Sequence, residues 1–444
     1  MRTFTIGGIH PPGNKISAGQ PIHQMPLPQK AIILLNQHFG KPAVPVVTKG
    51  ESVKVGQLLA KADGVLSANI HAPVSGTISK IGETQDASGY KHHAVWIDVE
   101  DDIWMDSIDK SSEIIRTCSL EAPAILEKIR EAGIVGMGGA TFPAHIKLTP
   151  PSGKKVETII VNGVECEPYL TADHQLMLEK GEEILIGLTI LMKAVNAQKG
   201  IIGIENNKQD AIAHLKKMAK DWPGIEILPL KVQYPQGGEK QLIEAVTGRQ
   251  VPSGALPIEV GAIVQNIATV YAVYEAVQKD KPLVECVLTI TGKTVGKPGN
   301  YLTRIGTPFS ELMDFAGGFP ENAAKVIAGG PMMGKALVSL SVPVTKGCSG
   351  LLILTEAETK RKKSQNCIRC AKCVKACPMG LEPYLFMTLV EHAEWGKLEK
   401  ERIMDCIECG CCTYSCPSTR PLLDYLKIGK AKVGSLIHAR NTKK

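Results

Sequence analysis

Eight of the thirteen cysteines in this 444-residue chain fall into two runs with one spacing. The first reads Cys367-Ile-Arg-Cys370-Ala-Lys-Cys373-Val-Lys-Ala-Cys377-Pro378. The second reads Cys406-Ile-Glu-Cys409-Gly-Cys411-Cys412-Thr-Tyr-Ser-Cys416-Pro417. Both fit C-x2-C-x2-C-x3-C-P, the thiolate spacing that holds 4Fe–4S cubanes. Three thiolates two residues apart sit on one tight turn and can hold three irons of one cubane. The fourth, three residues further on, points towards a second cluster. The proline stops the local helix and removes a donor. A lone C-x2-C would fit zinc or a redox pair as well. Two complete four-cysteine runs select iron–sulfur, and with it one-electron chemistry. In two-cluster chains the fourth cysteine of each run ligates the other cluster. That rule groups Cys367, Cys370 and Cys373 with Cys416, and Cys406, Cys409 and Cys412 with Cys377. Cys411 adjoins Cys412 and points elsewhere on the turn, so it is expected to be a packed thiol.

A second set of residues concerns anions and nucleotides. Gly136-Met-Gly138-Gly139-Ala140-Thr-Phe142-Pro143 is a glycine loop. Its N–H groups and the next helix N-terminus can cradle an anion, with Lys147 adding positive charge. The loop lies between apparent helices, not on the strand-to-helix turn of a dinucleotide fingerprint. Glu165 and Glu167 stand just past the C-terminal end of an expected parallel strand, where open sheets place ligands. They can accept hydrogen bonds from ribose hydroxyls or an amide; solvated loop acids are the plainer alternative. Gly237-Gly238-Glu239 repeats this arrangement at a helix start. Cys166 reads as a reduced, packed thiol.

The elements that must position these groups follow from periodicity. Between Val44 and Ile81 short apolar runs alternate with glycines, as in strands joined by tight turns. The order around Val53 to Leu59 and His71 to Ile78 resembles the biotinyl/lipoyl-carrier sandwich. No lysine stands at the carrier position near Val65, so the sandwich lacks its arm. From Ala122 the spacing turns helical, and Gly133 can close the first helix. Val156–Val161, Gly200–Ile204 and Ile225–Val232 read as strands. They alternate with helices at Glu182–Asn196, Asp210–Lys220 and Gln241–Val246, and a further helix starts near Gln265, Asn266 and Thr269. This pattern argues for a mainly parallel, doubly wound sheet. Leu283–Leu340 returns to strands. Glu356–Gln365 is densely charged and reads as a linker. The 28 residues from Pro378 to Asp405 place Leu385, Leu389 and His392 or Ala393 on a helix face, favouring a mostly helical cluster domain.

Composition bounds the class. The chain is 44% hydrophobic and 21% charged, which is ordinary for globular proteins, and long enough for three or four domains. Thiolate clusters need a reducing compartment, so the cytoplasm is expected rather than a secreted disulfide scaffold. The first residues carry no signal-peptide pattern. The longest apolar run, Ile184–Val195, is too short for a membrane span and reads as a buried helix. The formal charge of +7 gathers at Lys427–Lys444. That stretch reads as a solvated, frayed tail or a contact for an acidic partner. No nucleic-acid partner is expected.

The order of the loops resembles the flavoprotein subunit of respiratory complex I. That resemblance implies FMN and NAD(H) in one Rossmann-like pocket. It assigns FMN contacts to Gly136, Gly138, Lys147, Asn162, Gln265, Asn266 and Thr269. It stacks Phe142 on the nicotinamide nucleotide and sets Glu167 and Glu239 near NADH, with Gly139, Glu165 and Gly237 in the same loops. Val164 stands where that family has an aspartate, and Gln265 replaces one of two asparagines. The complex I protein has one cluster, not two runs.

The whole chain resembles more closely the C subunit of the Rnf-type ferredoxin:NAD oxidoreductase. The shared order runs from Gly7-Gly8-Ile9-His10-Pro11-Pro12 through the sandwich and the flavoprotein-like core to Gly329-Gly330-Pro331-Met332-Met333-Gly334 and the twin cysteine runs. A related subunit of the sodium-pumping NADH:quinone reductase lacks those runs. The resemblance implies a multidomain α/β and α+β chain. Residues 1–115 would hold the carrier-like β-sandwich and 116–280 a Rossmann-like FMN/NADH core. Residues 281–355 would form a β-grasp module, and 356–444 a mostly helical two-cluster ferredoxin domain with a basic tail. It implies a peripheral electron-transfer subunit on the cytoplasmic face of the cell membrane. Its partners would be NAD(H), the other subunits of the complex and, indirectly, ferredoxin; those subunits would move the ion. The rival is an electron-wire and docking scaffold without nucleotide chemistry, which the changes at Val164 and Gln265 keep open. A soluble flavin-linked dehydrogenase would need a substrate base, and none stands out.

Overall fold

The structure, a computed structural model, describes residues 1–441. Its centre is a sheet of four parallel strands: Thr158–Asn162, Lys199–Glu205, Ile225–Leu230 and Ala262–Asn266. Ile159, Ile160 and Val161 in succession are fully buried. Such a run fits a strand covered on both faces. Helices Gly181–Val195 and Ile267–Gln278 cover one face, and Glu239–Thr247 the other. In space the strands run third, second, first, fourth. The order reverses between the first and the fourth, and the strand ends open a crevice at such a point. Asn162 and Asn266 are register partners there.

The apolar run at 184–195 lies in the buried helix Gly181–Val195, which closes on Asn196 in the left-handed region (φ 53°). Among the described residues no helix is long and apolar enough to cross a membrane.

Ahead of this core, a four-stranded and a three-stranded sheet enclose Ile33, Leu59, Ile70, Ile78, Val95 and Ile97. Val65 is 82% exposed. A carrier arm would stand there, and this chain presents only a valine. Strand Ile22–Gln24 leaves the sandwich and pairs in parallel with Asn300–Leu302, forming the edge of a six-stranded mixed sheet. The N-terminal region therefore serves two domains, which its sequence does not announce.

The cysteine runs lie among helices Lys372–Ala376, Pro383–Glu391, Trp395–Lys400, Cys411–Tyr414 and Leu422–Asn441. Two expectations are corrected here and a third is refined. The buried face of Pro383–Glu391 is Pro383, Phe386, Met387 and Val390; Leu385 and Leu389 are half-buried and His392 is exposed. The charged linker begins as a helical turn, Glu356–Thr359, closed by a Thr355/Glu358 capping box. Glu358 also accepts from Tyr169 Oη at 2.8 Å and pairs with Lys293 at 2.9 Å. The basic tail is not frayed over its described part. Leu422, Leu426 and Val433 bury one side of its helix, and Lys430 Nζ donates to the Cys406 carbonyl. Lys443 and Lys444 lie outside the described residues.

Arg304 ties the six-stranded sheet to the sandwich. It is 5% exposed. Its guanidinium donates to Pro73 O at 2.8 Å and to both Asp102 oxygens at 2.9 and 3.0 Å. It also stacks 4.6 Å from the Trp104 ring centroid. Arg304 is buried but Asp102 is 42% exposed, so truncating the arginine loses its charge-assisted hydrogen bonds rather than stranding a buried charge, at a cost of about 1.5–3 kcal/mol. Arg304→Ala is expected to lower the first urea transition by that amount, read by tryptophan fluorescence. An unchanged midpoint would show that the seam is held by other contacts.

Candidate nucleotide pocket and cluster sites

The glycine loop is fixed from below. Met137 N donates to Oγ1 of the fully buried Thr269 at 2.8 Å, and Gly136 N to Phe142 O at 2.9 Å. A Cβ on Gly138 would lie 3.4 Å from the Asn266 side chain. No atom lies within 4 Å of the place where Gly139 (φ 102°) would carry one. Thr141 holds φ 50°, a strained value for a β-branched residue. The loop therefore stands open above Gly139 and is packed below.

The strand ends supply the floor. Asn162 Nδ2 donates to Gly237 O at 2.9 Å, and its Oδ1 accepts from Val164 N. Asn266 caps helix Ile267–Gln278, accepting from Ala268 N at 2.9 Å, and donates to Asp173 Oδ2 at 2.7 Å. Lys147 Nζ reaches Val264 O at 3.1 Å and forms an ion pair with Glu239. Gln265 is 3% exposed, and its Nε2 has no hydrogen-bond partner. A buried donor left without an acceptor costs roughly 1–3 kcal/mol. It fits a site whose acceptor arrives with a ligand, as does the open cradle at Gly139.

Two expected ligand contacts are committed elsewhere. Glu165, in the left-handed region (φ 44°), accepts from Asp173 N at 2.8 Å and His174 N at 3.3 Å at the start of helix Ala172–Glu179. Glu167 accepts from Met332 N at 3.1 Å and Met333 N at 2.8 Å. Desolvation pushes its carboxyl up to about 7, against those two N–H groups. Carboxylates beside free backbone donors satisfy them first. Of the acids expected at the pocket, only Glu239 pairs with a pocket cation.

Three charged residues escape a reading of the sequence. Lys15 Nζ donates to the carbonyls of Glu165, Glu167 and Leu170, fixing the acidic loop. Lys208, buried beside Glu205 at 3.9 Å, donates to Val164 O at 2.7 Å. Asp173 orients Asn266; burial, then the Glu165 charge, raises its carboxyl to about 7. Lys15 is separated from its partners by some 150 residues, so no spacing signal could reveal it.

In the cluster domain, Cys377 of the first run lines one cavity with Cys406, Cys409, Cys411 and Cys412 of the second, walled by Leu381 and Leu426. Cys377, Cys406, Cys409 and Cys412 are buried. Cys367 and Cys370 are exposed, while Cys373 and Cys416 are half-buried. Burial, and in smaller part the Cys416 charge, raises the Cys373 thiol. An apolar cavity lined by cysteines of both runs suits a thiolate-ligated cluster. Cys411 is 1% exposed and packs with Ile9, Tyr234 and Ala376.

The pocket and this cavity meet at Tyr234. Its buried Oη donates to Cys409 O at 2.9 Å. Three residues on, a Cβ at Gly237 would lie 3.4 Å from both Asn162 and Cys166 Sγ. Burial, then the Glu205 charge, pushes that thiol up to about 12, leaving it inert. Ile9 pairs with Tyr234 through two backbone bonds of 2.8 and 2.9 Å, and Gly8 N donates to Ala376 O at 3.0 Å. At Gly7 (φ 70°) a Cβ would fall 2.4 Å from the Cys377 carbonyl, so this approach requires glycine.

Family models agree with this arrangement. Residues 3–102 match the RnfC barrel sandwich hybrid domain and 129–275 the Nuo51 FMN-binding domain. Residues 287–336 match the SLBB domain and 366–420 the 4Fe-4S dicluster domain. The class is thus an iron–sulfur flavoprotein. The chain is 47% identical over 385 residues to the C subunit of the proton-translocating ferredoxin:NAD(+) oxidoreductase complex of Clostridium ljungdahlii, covering 86% of this chain and 83% of that one. It is 43% identical to the Na(+)-translocating counterpart of Acetobacterium woodii, covering 96% of both. It is 40% identical to the C subunit of the ion-translocating oxidoreductase complex of Rhodobacter capsulatus, covering 98% of this chain and 84% of that one. The chain belongs to this family of C subunits. A solved NAD+-reducing [NiFe]-hydrogenase is similar at 17% identity and a TM-score of 0.49, over 69% of this chain and 63% of that one, too weakly to carry argument.

Glu167 yields a direct test. Replacing it with alanine removes the acceptor for Met332 and Met333 N–H. A hydrogen bond to a charged group contributes about 1.5–3 kcal/mol. Amide exchange at those two residues is expected to rise by about tenfold or more, read by mass spectrometry, while exchange in Thr158–Asn162 stays as it was.

Proposed function

We propose that this chain is the peripheral electron-transfer subunit of a membrane-bound ferredoxin:NAD oxidoreductase complex. It exchanges electrons between NAD(H), FMN and two 4Fe–4S clusters on the cytoplasmic face of the membrane, and other subunits move the ion. Residues 1–115 form the sandwich, 116–280 a Rossmann-like FMN/NADH domain, 281–355 a β-grasp domain and 356–444 the two-cluster domain. Ferredoxin communicates with it indirectly.

The observation that carries this reading is the Tyr234 junction, which joins the crevice at the sheet's switch point to the cavity around Cys409. Bound FMN supplies two-electron exchange with a nicotinamide and one-electron exchange with a cluster. The chain's part is to hold and insulate these groups. Gly138 and Gly139 offer N–H groups to a phosphate, with Lys147 as counter-charge released from Glu239, while Gly136 N is held by Phe142 O. Gln265 brings its unpartnered amide, and Asn162 and Asn266 hold the strand ends. Thr269 acts through Met137, by fixing the loop. Glu165 and Glu167 act by shaping the acidic loop. Val164 lies fully buried in an apolar cluster, so its change from aspartate removes a polar group without opening the floor. The orphan amide of Gln265 favours the nucleotide-binding reading over the scaffold reading.

Two tests address this directly. Under anaerobic conditions NADH is expected to bleach the visible spectrum of the cofactor-replete chain. An unchanged spectrum would remove NADH entry from this subunit. The cluster grouping is read by paramagnetic resonance of reduced variants. Cys416→Ser is expected to lose the cluster held by Cys367, Cys370 and Cys373, and Cys411→Ser to keep both. Loss of the second-run cluster alone in Cys416→Ser would show that each run serves itself.

A further inference from the structure

Nothing in the sequence marks Lys346, a lysine with only 1% of its surface exposed. Its Nζ donates to Asn69 O and to Gly133 O, both at 2.7 Å, and its backbone N–H donates to Gln37 Oε1 at 3.1 Å. The amine comes from the domain of the six-stranded sheet. The carbonyls it holds belong to the sandwich and to the α/β core. Gly133 closes helix Ala122–Glu131 in the left-handed region (φ 63°). A Cβ there would fall 2.2 Å from Asn69 O and 2.9 Å from Lys346 Nζ, so the lysine reaches this carbonyl only past a glycine.

The glycine loop follows Gly133 directly. Its two arms are bonded to each other: Gly136 N to Phe142 O at 2.9 Å, Thr141 N to Gly136 O at 3.1 Å and Ala144 N to Ile134 O at 3.0 Å. Lys346 holds the foot of the incoming arm. Gly347 backs the outgoing one, since a Cβ there would fall 2.3 Å from Thr141 Cγ2 and 3.5 Å from Gly139 O. Cys348 N donates to Thr345 O at 3.0 Å and closes the turn that carries both residues. Two consecutive residues of one tight turn thus set both arms of the loop whose open face lies at Gly139.

The charge matters as much as the placement. Buried ammonium groups are ordinarily paired with carboxylates. Burial alone acts on this one and draws it down to about 7. Burial first, and the Lys346 charge in addition, lowers the His38 and His71 imidazoles that face it to about 4 and about 3. An anion on the open face of the loop favours the charged form of the amine. Resting on the reading of the crevice as a flavin nucleotide site, we propose that Lys346 is a positioning residue for the phosphate, fixing the span of the glycine loop and supplying positive charge behind its N–H groups. It acts through Gly133 and, by way of Gly347, through Thr141. A domain outside the α/β core thereby contributes to the cofactor site.

The test uses the full chain with its clusters, freed of flavin and titrated with FMN and with riboflavin, which lacks the phosphate. Flavin fluorescence reads the binding. Lys346→Met keeps an unbranched stem without the ammonium. It is expected to weaken FMN about tenfold and to leave riboflavin unchanged. Gly347→Ala drives a methyl group into Thr141 with the lysine in place, and is expected to weaken FMN in the same selective way. Adding Thr141→Ser removes the methyl group it strikes and restores affinity. Equal losses of FMN and riboflavin would make the lysine a general support of the fold and overturn the proposal. Wild-type FMN affinity in Lys346→Met would overturn it too. Riboflavin bound by the unmutated chain as tightly as FMN would instead overturn the phosphate reading of the loop.

Discussion

The pairing of Ile9 with Tyr234 is the constraint on which the two halves of this molecule depend. Electron exchange between bound groups falls steeply with separation, so the α/β crevice and the cluster cavity must abut. The approach is made onto backbone carbonyls, by one side-chain hydroxyl and by two glycines. Tyr234 bonds the Cys409 carbonyl, Gly8 bonds the Ala376 carbonyl, and Gly7 admits the Cys377 carbonyl where any side chain would exclude it. Backbone contacts fix distance more strictly than long side chains do, because no rotamer can relax them. The N-terminal segment thus works as a strap between domains that are far apart in sequence.

Charge around the crevice is used to hold backbone before it is offered to a ligand. Lys15 and Lys208 are engaged by carbonyls, and Glu165 and Glu167 by N–H groups. Each of these loops has irregular backbone that no ladder can satisfy, and a buried unpaired group destabilises more than a committed side chain does. What remains unengaged is informative. The Gln265 amide is free, and the Lys147–Glu239 pair is partly exposed and can be re-partnered.

Much of this is legible in the sequence, for physical reasons. The parallel sheet announces itself through runs such as Ile159-Ile160-Val161, because strands covered on both faces need no polar alternation. The crevice is legible because glycines and strand-end asparagines have few uses besides close approach and capping. The cysteine grouping is an expectation from spacing, and the cavity sets Cys377 beside the second run. The roles of Glu165 and Glu167 are not legible. A carboxylate's partner depends on which backbone donors tertiary packing leaves open, and Met332 lies 165 residues away. The helix face at Pro383–Glu391 misleads because Leu385 and Leu389 share a spacing with the true face one residue on, at Phe386 and Val390. The tail misleads because its lysines mask the small stripe of Leu422, Leu426 and Val433.

The two cysteine runs, alike in sequence, end in unlike surroundings. The second-run cavity is buried, and two backbone N–H groups approach its sulfurs: Leu381 N to Cys377 Sγ and Glu408 N to Cys406 Sγ, both at 3.4 Å. The first run keeps Cys367 and Cys370 at the surface. Burial and hydrogen bonds to sulfur are the protein's levers on a cluster's potential. Clusters held in these two places would differ in potential without any change of ligand. The buried site faces the crevice through Tyr234, where water would compete with hydride chemistry. Cys367 and Cys370 of the first run are exposed, where another protein can approach them. A chain with both sites buried would conduct to nothing, and one with both exposed would leak its electrons to solvent oxidants.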